Sequence, residues 1–243
     1  MLLHIVNPNT TASMTQKIAS AARGVASAGT EIFESQPESG PASIEGYYDE
    51  AFAVPGMLQR IAEAEAKGVA GHIIACFDDT GLDAARCLAR APVVGIGEAA
   101  FHIASLIAGR FSVVTTLGRS IPIIEHNLVR YGLASRCAGV LAAEVPVLEL
   151  EKPGSTARAR ISQEIERAKT EHACEAIVLG CAGMADLATD LSKQHGLPVI
   201  DGVACAVALL QGVARLGLTT SKIGGYASPR PKAYSGMFAN LSG

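Results

Sequence analysis

The chain has 243 residues, and its 20 lysines and arginines against 23 aspartates and glutamates give a formal net charge of −3. No basic cluster interrupts this balance, which argues against a surface that follows the backbone of a nucleic acid. The length is enough for one large domain or for two compact lobes.

The apolar segments predict no contact with a membrane. The N-terminal segment MLLHIVNPNTTASM has too short an apolar run for a signal peptide and lacks its basic start, so we expect a cytoplasmic protein. The longest apolar window, residues 202–218, contains Gln211 and Arg215 and falls short of the roughly 20 residues that span a bilayer. It predicts a packed helix.

Apolar strands alternate along the chain with helical stretches rich in Ala, Glu and Lys, which predicts an α/β fold with mostly parallel sheets. The first strand ends at VNPNTT, and the loop-rich residues 34–57 follow later. The stretch GIGEAAFH at 95–102 lacks the third glycine of a dinucleotide-binding fingerprint, so we interpret it as a strand-to-helix turn. The cysteines and histidines are not spaced as metal ligands, and we expect no metal site.

The sequence contains an internal duplication. Residues 62–85, AEAEAKGVAGHIIACFDDTGLDAA, match residues 166–188, ERAKTEHACEAIVLGCAGMADLA, and the match aligns Cys76 with Cys181. It extends upstream, where LLHIVNPNTTASM aligns with RFSVVTTLGRSIP, and downstream to Pro92 and Pro198. We therefore predict two lobes related by a pseudo-twofold axis, each with a mostly parallel sheet flanked by helices.

Such a duplication brings equivalent strand ends to one cleft between the lobes, where ligands of these folds bind. Cys76 and Cys181 then face the cleft from opposite sides, each at the first turn of a following helix. A carbon held between two thiols can lose a proton to one and gain a proton from the other on its opposite face, which is the geometry of a racemase. The alternative is that both cysteines only fill space. Four other cysteines are interpreted as structural: Cys87, Cys137, Cys174 and Cys205.

The strings VNPNTT, SIEGYYDEA, ACFDDTGLDAAR, FSVVTT and LGCAGM occur in this order over nearly the whole chain. Through them the chain resembles the aspartate/glutamate racemase superfamily, and more closely its hydantoin racemase branch, which includes allantoin racemases. The resemblance implies a first α/β lobe of residues 1–97 plus 207–243 and a second of residues 98–206. It further implies racemisation of a small neutral ring by two cysteines, without a cofactor. We also expect a homo-oligomer.

The residues after each cysteine are expected to complete the site. Backbone N–H groups at a helix N-terminus would face developing negative charge and lower the pKa of one thiol, so that one cysteine is a thiolate. Asp79 is interpreted mainly as the N-cap of the helix that follows. The resemblance places Ser43 and Ile44 over the substrate. The predicted substrate contacts are Asn9, Ser43, Ile44, Phe77, Asp78, Asp79, Thr80, Thr115, Thr116, Ala182 and Gly183.

Other functions are open at this point. Aspartate or glutamate racemases of the superfamily commonly have Thr-Glu after the second cysteine, whereas this chain has Ala182, Gly183 and Met184. A related thiol-dependent decarboxylase or isomerase is a further enzyme alternative. A two-lobed protein that only binds a small molecule is an alternative of another class.

Overall fold

The computed structural model describes residues 1–241 and contains two parallel sheets of four strands, with the orders β2-β1-β3-β4 and β6-β5-β7-β8. The two orders are the same once four is added to each strand number, so the predicted duplicated α/β fold is confirmed. The first sheet consists of β1 (Leu2–Val6), β2 (Glu31–Ser35), β3 (Gly71–Ile74) and β4 (Val93–Gly95). The second consists of β5 (Phe111–Thr115), β6 (Cys137–Ala142), β7 (Ala176–Gly180) and β8 (Val199–Ile200).

Helices connect the strands and cover both faces of each sheet. For this reason β3 (GHII) and β7 (AIVLG) are buried along their whole length. The helices are α1 (Ala12–Val25), α2 (Tyr47–Glu65), α3 (Leu82–Leu88), α4 (Ile96–Ile107), α5 (Ile121–Arg130), α6 (Ala157–His172), α7 (Ala188–His195) and α8 (Gly202–Arg215). We call β1 to α4 the first half and β5 to α8 the second half.

The last helices of the two halves are exchanged between the sheets. Helix α4 packs against β7 and α5 of the second half, whereas α8 packs against α1 and β3 of the first half, and the two helices pack on each other. The predicted lobe boundaries, at 97/98 and 206/207, fall inside these two helices, and the division remains a proposal. Residues 242 and 243 of the predicted first lobe lie outside the described residues.

Strand register places the equivalent strand ends side by side. Val6 pairs with Ile74 at the ends of β1 and β3, and Thr115 pairs with Gly180 at the ends of β5 and β7. The window predicted to be a packed helix forms α8, and GIGEAAFH is a strand-to-helix turn, as expected. Among the helices of residues 1–241, none combines the length and the apolar character needed to cross a membrane.

Candidate active site

Cys76 and Cys181 line the same small cavity, of about 30 Å³, between the two halves. Cys181 directly follows β7, and Cys76 follows β3 with one residue between. Eight predicted site residues line this cavity: Asn9, Ile44, Cys76, Phe77, Asp78, Thr116, Cys181 and Ala182. Sequence reasoning missed five other lining residues: Met14, Ala75, Ser120, Val147 and Gly180.

The turns after the two cysteines differ in structure. Cys181 is the N-cap residue of a 3₁₀ segment, Ala182–Leu187. The helix after Cys76 begins only at Leu82, because Asp79 and Gly81 have φ angles of 52° and 67° in the left-handed region and interrupt it. The prediction that each cysteine stands at the first turn of a helix is therefore wrong for Cys76.

Each sulfur accepts hydrogen bonds from the residues that follow it. Cys76 Sγ accepts from the backbone N–H of Asp78 and from the Thr80 hydroxyl, whose oxygen is 3.3 Å away. Cys181 Sγ accepts from the backbone N–H of Gly183. These donors stabilise a thiolate when one forms. Only Cys76 receives a side-chain hydroxyl.

The expectation that a helix N-terminus lowers one thiol pKa is wrong for the free protein. Burial raises the pKa of Cys76 well above its ordinary value, and the neighbouring Asp78 carboxylate raises it further. Burial also raises the pKa of Cys181 to about 12, and Asp78 contributes in the same direction. The hydrogen bonds to sulfur oppose these effects and do not overcome them. Both thiols are therefore harder to ionise than a cysteine in water.

Asp79 caps a different helix from the one predicted. Its carboxylate accepts from the backbone N–H groups of Gly97 and Glu98, at 2.9 and 2.8 Å, at the start of α4. The Tyr131 hydroxyl donates to the same carboxylate at 2.8 Å. Helix α3 has Gly81 at its N-cap and no side-chain cap. The predicted capping of α3 is wrong because the positive φ of Asp79 turns its side chain towards α4.

Five predicted contacts are not among the lining residues: Ser43, Asp79, Thr80, Thr115 and Gly183. The Thr115 hydroxyl donates to the Gly180 carbonyl at 3.0 Å, and the Ser43 hydroxyl lies 3.5 Å from Glu45 Oε1. Asn9 lines the cavity, but its amide oxygen already accepts from Thr11 and Asn7. Contact of these residues with substrate remains a prediction.

Helix α5 of the second half holds the Cys76 turn of the first. Asn127 Nδ2 donates to the Asp78 carbonyl at 2.9 Å, and Tyr131 binds Asp79 as described. Sequence reasoning missed both residues because nothing in the local pattern distinguishes them from other residues of an amphipathic helix. Their role depends on a contact between the halves.

Two segments, one from each half, form part of the cavity wall. Ile44 belongs to the loop before α2, Val147 belongs to the 3₁₀ segment Val147–Glu151, and both line the cavity. Glu45 Oε1 accepts from the Val147 backbone N–H at 2.9 Å and so joins the segments. This hydrogen bond therefore links the cavity wall of the first half to that of the second half.

The charge of the cavity wall limits what it can bind. Among the lining residues in the described part of the chain, Asp78 is the one Asp or Glu, and there is no Lys or Arg. A substrate carboxylate would meet a carboxylate rather than a cation. Within residues 1–241, no cluster of three or more His, Cys, Asp or Glu side chains could hold a metal ion.

Comparisons with known proteins show similarity to racemases over nearly the whole chain. The family profile described as Asp/Glu/Hydantoin racemase matches residues 3–210. The chain is similar to the hydantoin racemase of Rhizobium meliloti, with 50% identity over 97% of this chain and 98% of that protein. It is 42% identical to the hydantoin racemase of Pseudomonas sp. (strain NS671), over 99% and 97% of the two chains. The solved allantoin racemase from Klebsiella pneumoniae superposes with a TM-score of 0.97 and 47% identity, covering 100% and 99%.

Proposed function

The chain belongs to the Asp/Glu/Hydantoin racemase family, and on that premise we propose that it interconverts the D and L enantiomers of 5-substituted hydantoins, with allantoin among the candidates. It is a racemase and therefore an isomerase. The observation that supports the proposed substrate class is a cavity lined by two thiols, one from each half, with no cationic side chain on its wall.

The proposed mechanism needs no cofactor. The C5 hydrogen of a hydantoin lies next to the C4 carbonyl, so its removal leaves an enolate with charge on oxygen. One cysteine, as thiolate, accepts this proton on one face, and the thiol of the other cysteine donates its proton to C5 on the opposite face. The first cysteine ends as the thiol and the second as the thiolate, so their roles exchange with the enantiomer.

Donors for the enolate oxygen are present on the cavity wall. Thr116 and Ser120, each with a hydroxyl group, line the cavity and are buried. Hydroxyls aimed at developing charge in a site without bulk water stabilise the transition state. We assign Thr116 and Ser120 this role.

The alternatives fit the cavity less well. An aspartate or glutamate substrate needs cations to bind its carboxylates. The carboxylate of Asp78 on the cavity wall would repel the substrate carboxylates. The same charge argument disfavours decarboxylation of a dicarboxylate. A protein that only binds a ligand gives no reason for two thiols that share one cavity, and the similar proteins reported above are racemases.

The first experiment follows the optical rotation of single-enantiomer allantoin and 5-benzylhydantoin in deuterated buffer without added cofactor. L-aspartate and L-glutamate serve as competing substrates, and enzyme-free samples give the spontaneous rate. Loss of rotation with deuterium at C5 supports the proposal, and the two rates choose the preferred substituent. Racemisation of an amino acid alone would overturn it.

A cytoplasmic location and a homo-oligomer are also proposed. Exposed apolar side chains support the oligomer: Leu106 and Ile107 at the end of α4 are 76% and 57% exposed, and Val129 on α5 is 66% exposed. Side chains of this size favour burial against another apolar surface. Light scattering on the purified protein measures the mass and tests the oligomer directly.

A further inference from the structure

Asp78 carries a buried carboxylate in the cavity wall that has no donor. The residue is 7% exposed and lines the cavity with both thiols. Its backbone is fully engaged, since its N–H donates to Cys76 Sγ and its carbonyl accepts from Asn127. In residues 1–241 no group donates to its side-chain oxygens, whereas the carboxylate of its neighbour Asp79 accepts three hydrogen bonds.

A nearly buried carboxylate that accepts no hydrogen bond from the protein is poorly stabilised, and a ligand that brings a donor stabilises it. Burial and the nearby carboxyl groups of Glu50 and Asp79 raise the pKa of Asp78 to about 7. A donor from the ligand would stabilise the ionised form. The bond would then be charge-assisted, which is the stronger class of hydrogen bond.

The position of Asp78 limits which atom of the substrate it can meet. Asp78 lines the same cavity as Cys76 and Cys181, and its charge acts on both sulfurs. When C5 of a hydantoin is held between the two sulfurs, the groups bonded to C5 are the parts of the substrate that Asp78 can meet. These are the C4 carbonyl carbon, the ring nitrogen N1 and the side-chain substituent. The carbonyl oxygen becomes negative during the reaction and is repelled by Asp78, whereas N1–H is a donor.

We propose that Asp78 accepts a hydrogen bond from an N–H group bonded directly to the stereocentre, and so restricts this racemase to substrates that carry one. The inference rests on the proposed hydantoin racemisation. It makes Asp78 a specificity-determining residue. It also orients the ring, because C4 and its oxygen are then directed to the opposite wall.

The test compares the parent hydantoin that the enzyme racemises faster with its analogue methylated at every nitrogen bonded to C5, for wild type, Asp78→Asn and Asp78→Ala. This nitrogen is N1 in 5-benzylhydantoin; in allantoin it is N1 and the ureido nitrogen. Asp190→Asn, an exposed residue on α7, is the matched control for loss of one charge. Wild type and the control should prefer the parent in kcat/KM by roughly 10- to 100-fold, the effect of one charge-assisted hydrogen bond. Asp78→Ala should lower the rate for the parent by a similar factor and abolish the preference.

Asp78→Asn separates the hydrogen bond from steric exclusion of the methyl group, because the amide has the size of the carboxylate but a weaker acceptor oxygen. The proposal expects the preference to fall in this variant, and an unchanged preference would overturn it. Equal kcat/KM of wild type for the two compounds would also overturn it and leave the hydantoin assignment intact. If wild type racemises neither parent, the proposed function itself fails. Thermal unfolding of each variant confirms that it is folded.

Discussion

Helices α4 and α8 begin at equivalent positions in the two halves, but their N-terminal N–H groups are capped in different ways. Asp201, at the N-cap of α8, accepts from Val203 and Ala204 at 3.0 and 2.8 Å. The equivalent position before α4 is Gly95, and the cap comes from Asp79. A Cβ at Gly95 would lie 2.0 Å from Asp79 Oδ1, so glycine leaves the space that the distant carboxylate fills.

This difference has a consequence for the site. Because Asp79 is three residues after Cys76, the cap ties the Cys76 turn to α4, and Tyr131 ties it to the second half. The cap of α8 belongs to its own strand-to-helix turn and does not involve the Cys181 turn. The two thiols therefore have equivalent positions in the duplicated halves, but their surroundings differ.

Replacing the thiols should have the largest effect. We expect Cys76→Ser and Cys181→Ser each to lower racemisation by at least about 100-fold, the effect of one general acid or base. Each variant keeps one thiol and should still exchange C5 hydrogen with solvent in one enantiomer. Measurement of deuterium incorporation without inversion, on D and L substrate separately, assigns each cysteine to a face.

Cys87→Ser is the control, because this partly buried cysteine is on α3 outside the cavity. It should retain wild-type racemisation. Wild-type turnover in either of the other two variants would contradict the two-thiol mechanism. Exchange of the same enantiomer in both would contradict the assignment of the thiols to opposite faces.

The Thr80 hydroxyl should produce the next largest effect. Thr80→Val removes the donor 3.3 Å from Cys76 Sγ, so we expect the pKa of Cys76 to rise and that of Cys181 to stay unchanged. The alkylation rate of each thiol as a function of pH, followed by mass spectrometry over the range where the protein stays folded, gives the relative change at each thiol. Because racemisation has an equilibrium constant of one, kcat/KM should fall by the same factor, about tenfold, in the two directions.

Thr80→Ser, which keeps the hydroxyl, is the matched control for Thr80→Val. It should alkylate at Cys76 with the wild-type pH dependence. An equal shift at both thiols would indicate a general change of the cavity and would remove Thr80 as the source of the difference between the halves.

Giving α4 the capping arrangement of α8 tests how each arrangement contributes to the free energy of unfolding. Asp79→Gly keeps the positive φ and should lower the free energy of unfolding by about 1–2 kcal/mol through loss of the cap. Gly95→Asp alone should also destabilise, because two carboxylates would occupy one site. The double variant gives α4 the arrangement of α8, and its loss should be smaller than the sum of the two single losses. Urea unfolding of all four proteins measures this coupling, and additive losses would contradict it.

The features that the two halves share could be predicted from the sequence, whereas the contacts found in only one half could not. Cys76, Cys181 and the sheets were predictable, because the duplication repeats strand, cysteine and helix at one spacing. Which helix Asp79 caps could not be predicted, because this depends on the glycine at position 95, in a separate turn. Asn127 and Tyr131 were missed for the same reason. The thiol pKa shifts were missed because they depend on how tightly the two halves close around the cavity.

A buried histidine pair in the first half has no counterpart at the equivalent register positions of the second half. His4 Nδ1 and His72 Nδ1 are 2.9 Å apart, and His72 Nε2 is 2.8 Å from Glu65 Oε1. At the equivalent register positions the second half has Ser112 and Ile177. Burial, followed by the charge of His72, lowers the pKa of His4 from 6.5 to about 3. The hydrogen bond from His72 is the largest of the effects that lower the pKa of Glu65 to about 2.

The sign of the pH dependence follows from these shifts. Below about pH 6.5 the unfolded chain binds a proton at His4 that the folded chain does not, which costs up to about 1.4 kcal/mol of stability per pH unit. Glu65 adds a loss below its unfolded pKa of 4.5. Asp78 and Asp79, whose pKa values are raised to about 7, act in the opposite direction but are common to wild type and variant. The variant His4→Ser with His72→Ile, which copies the second half, should therefore lose less stability on acidification than wild type. Urea unfolding at several pH values between about 7 and 4.5 measures the difference, and parallel curves would show that the histidine pair does not make the first half acid-sensitive.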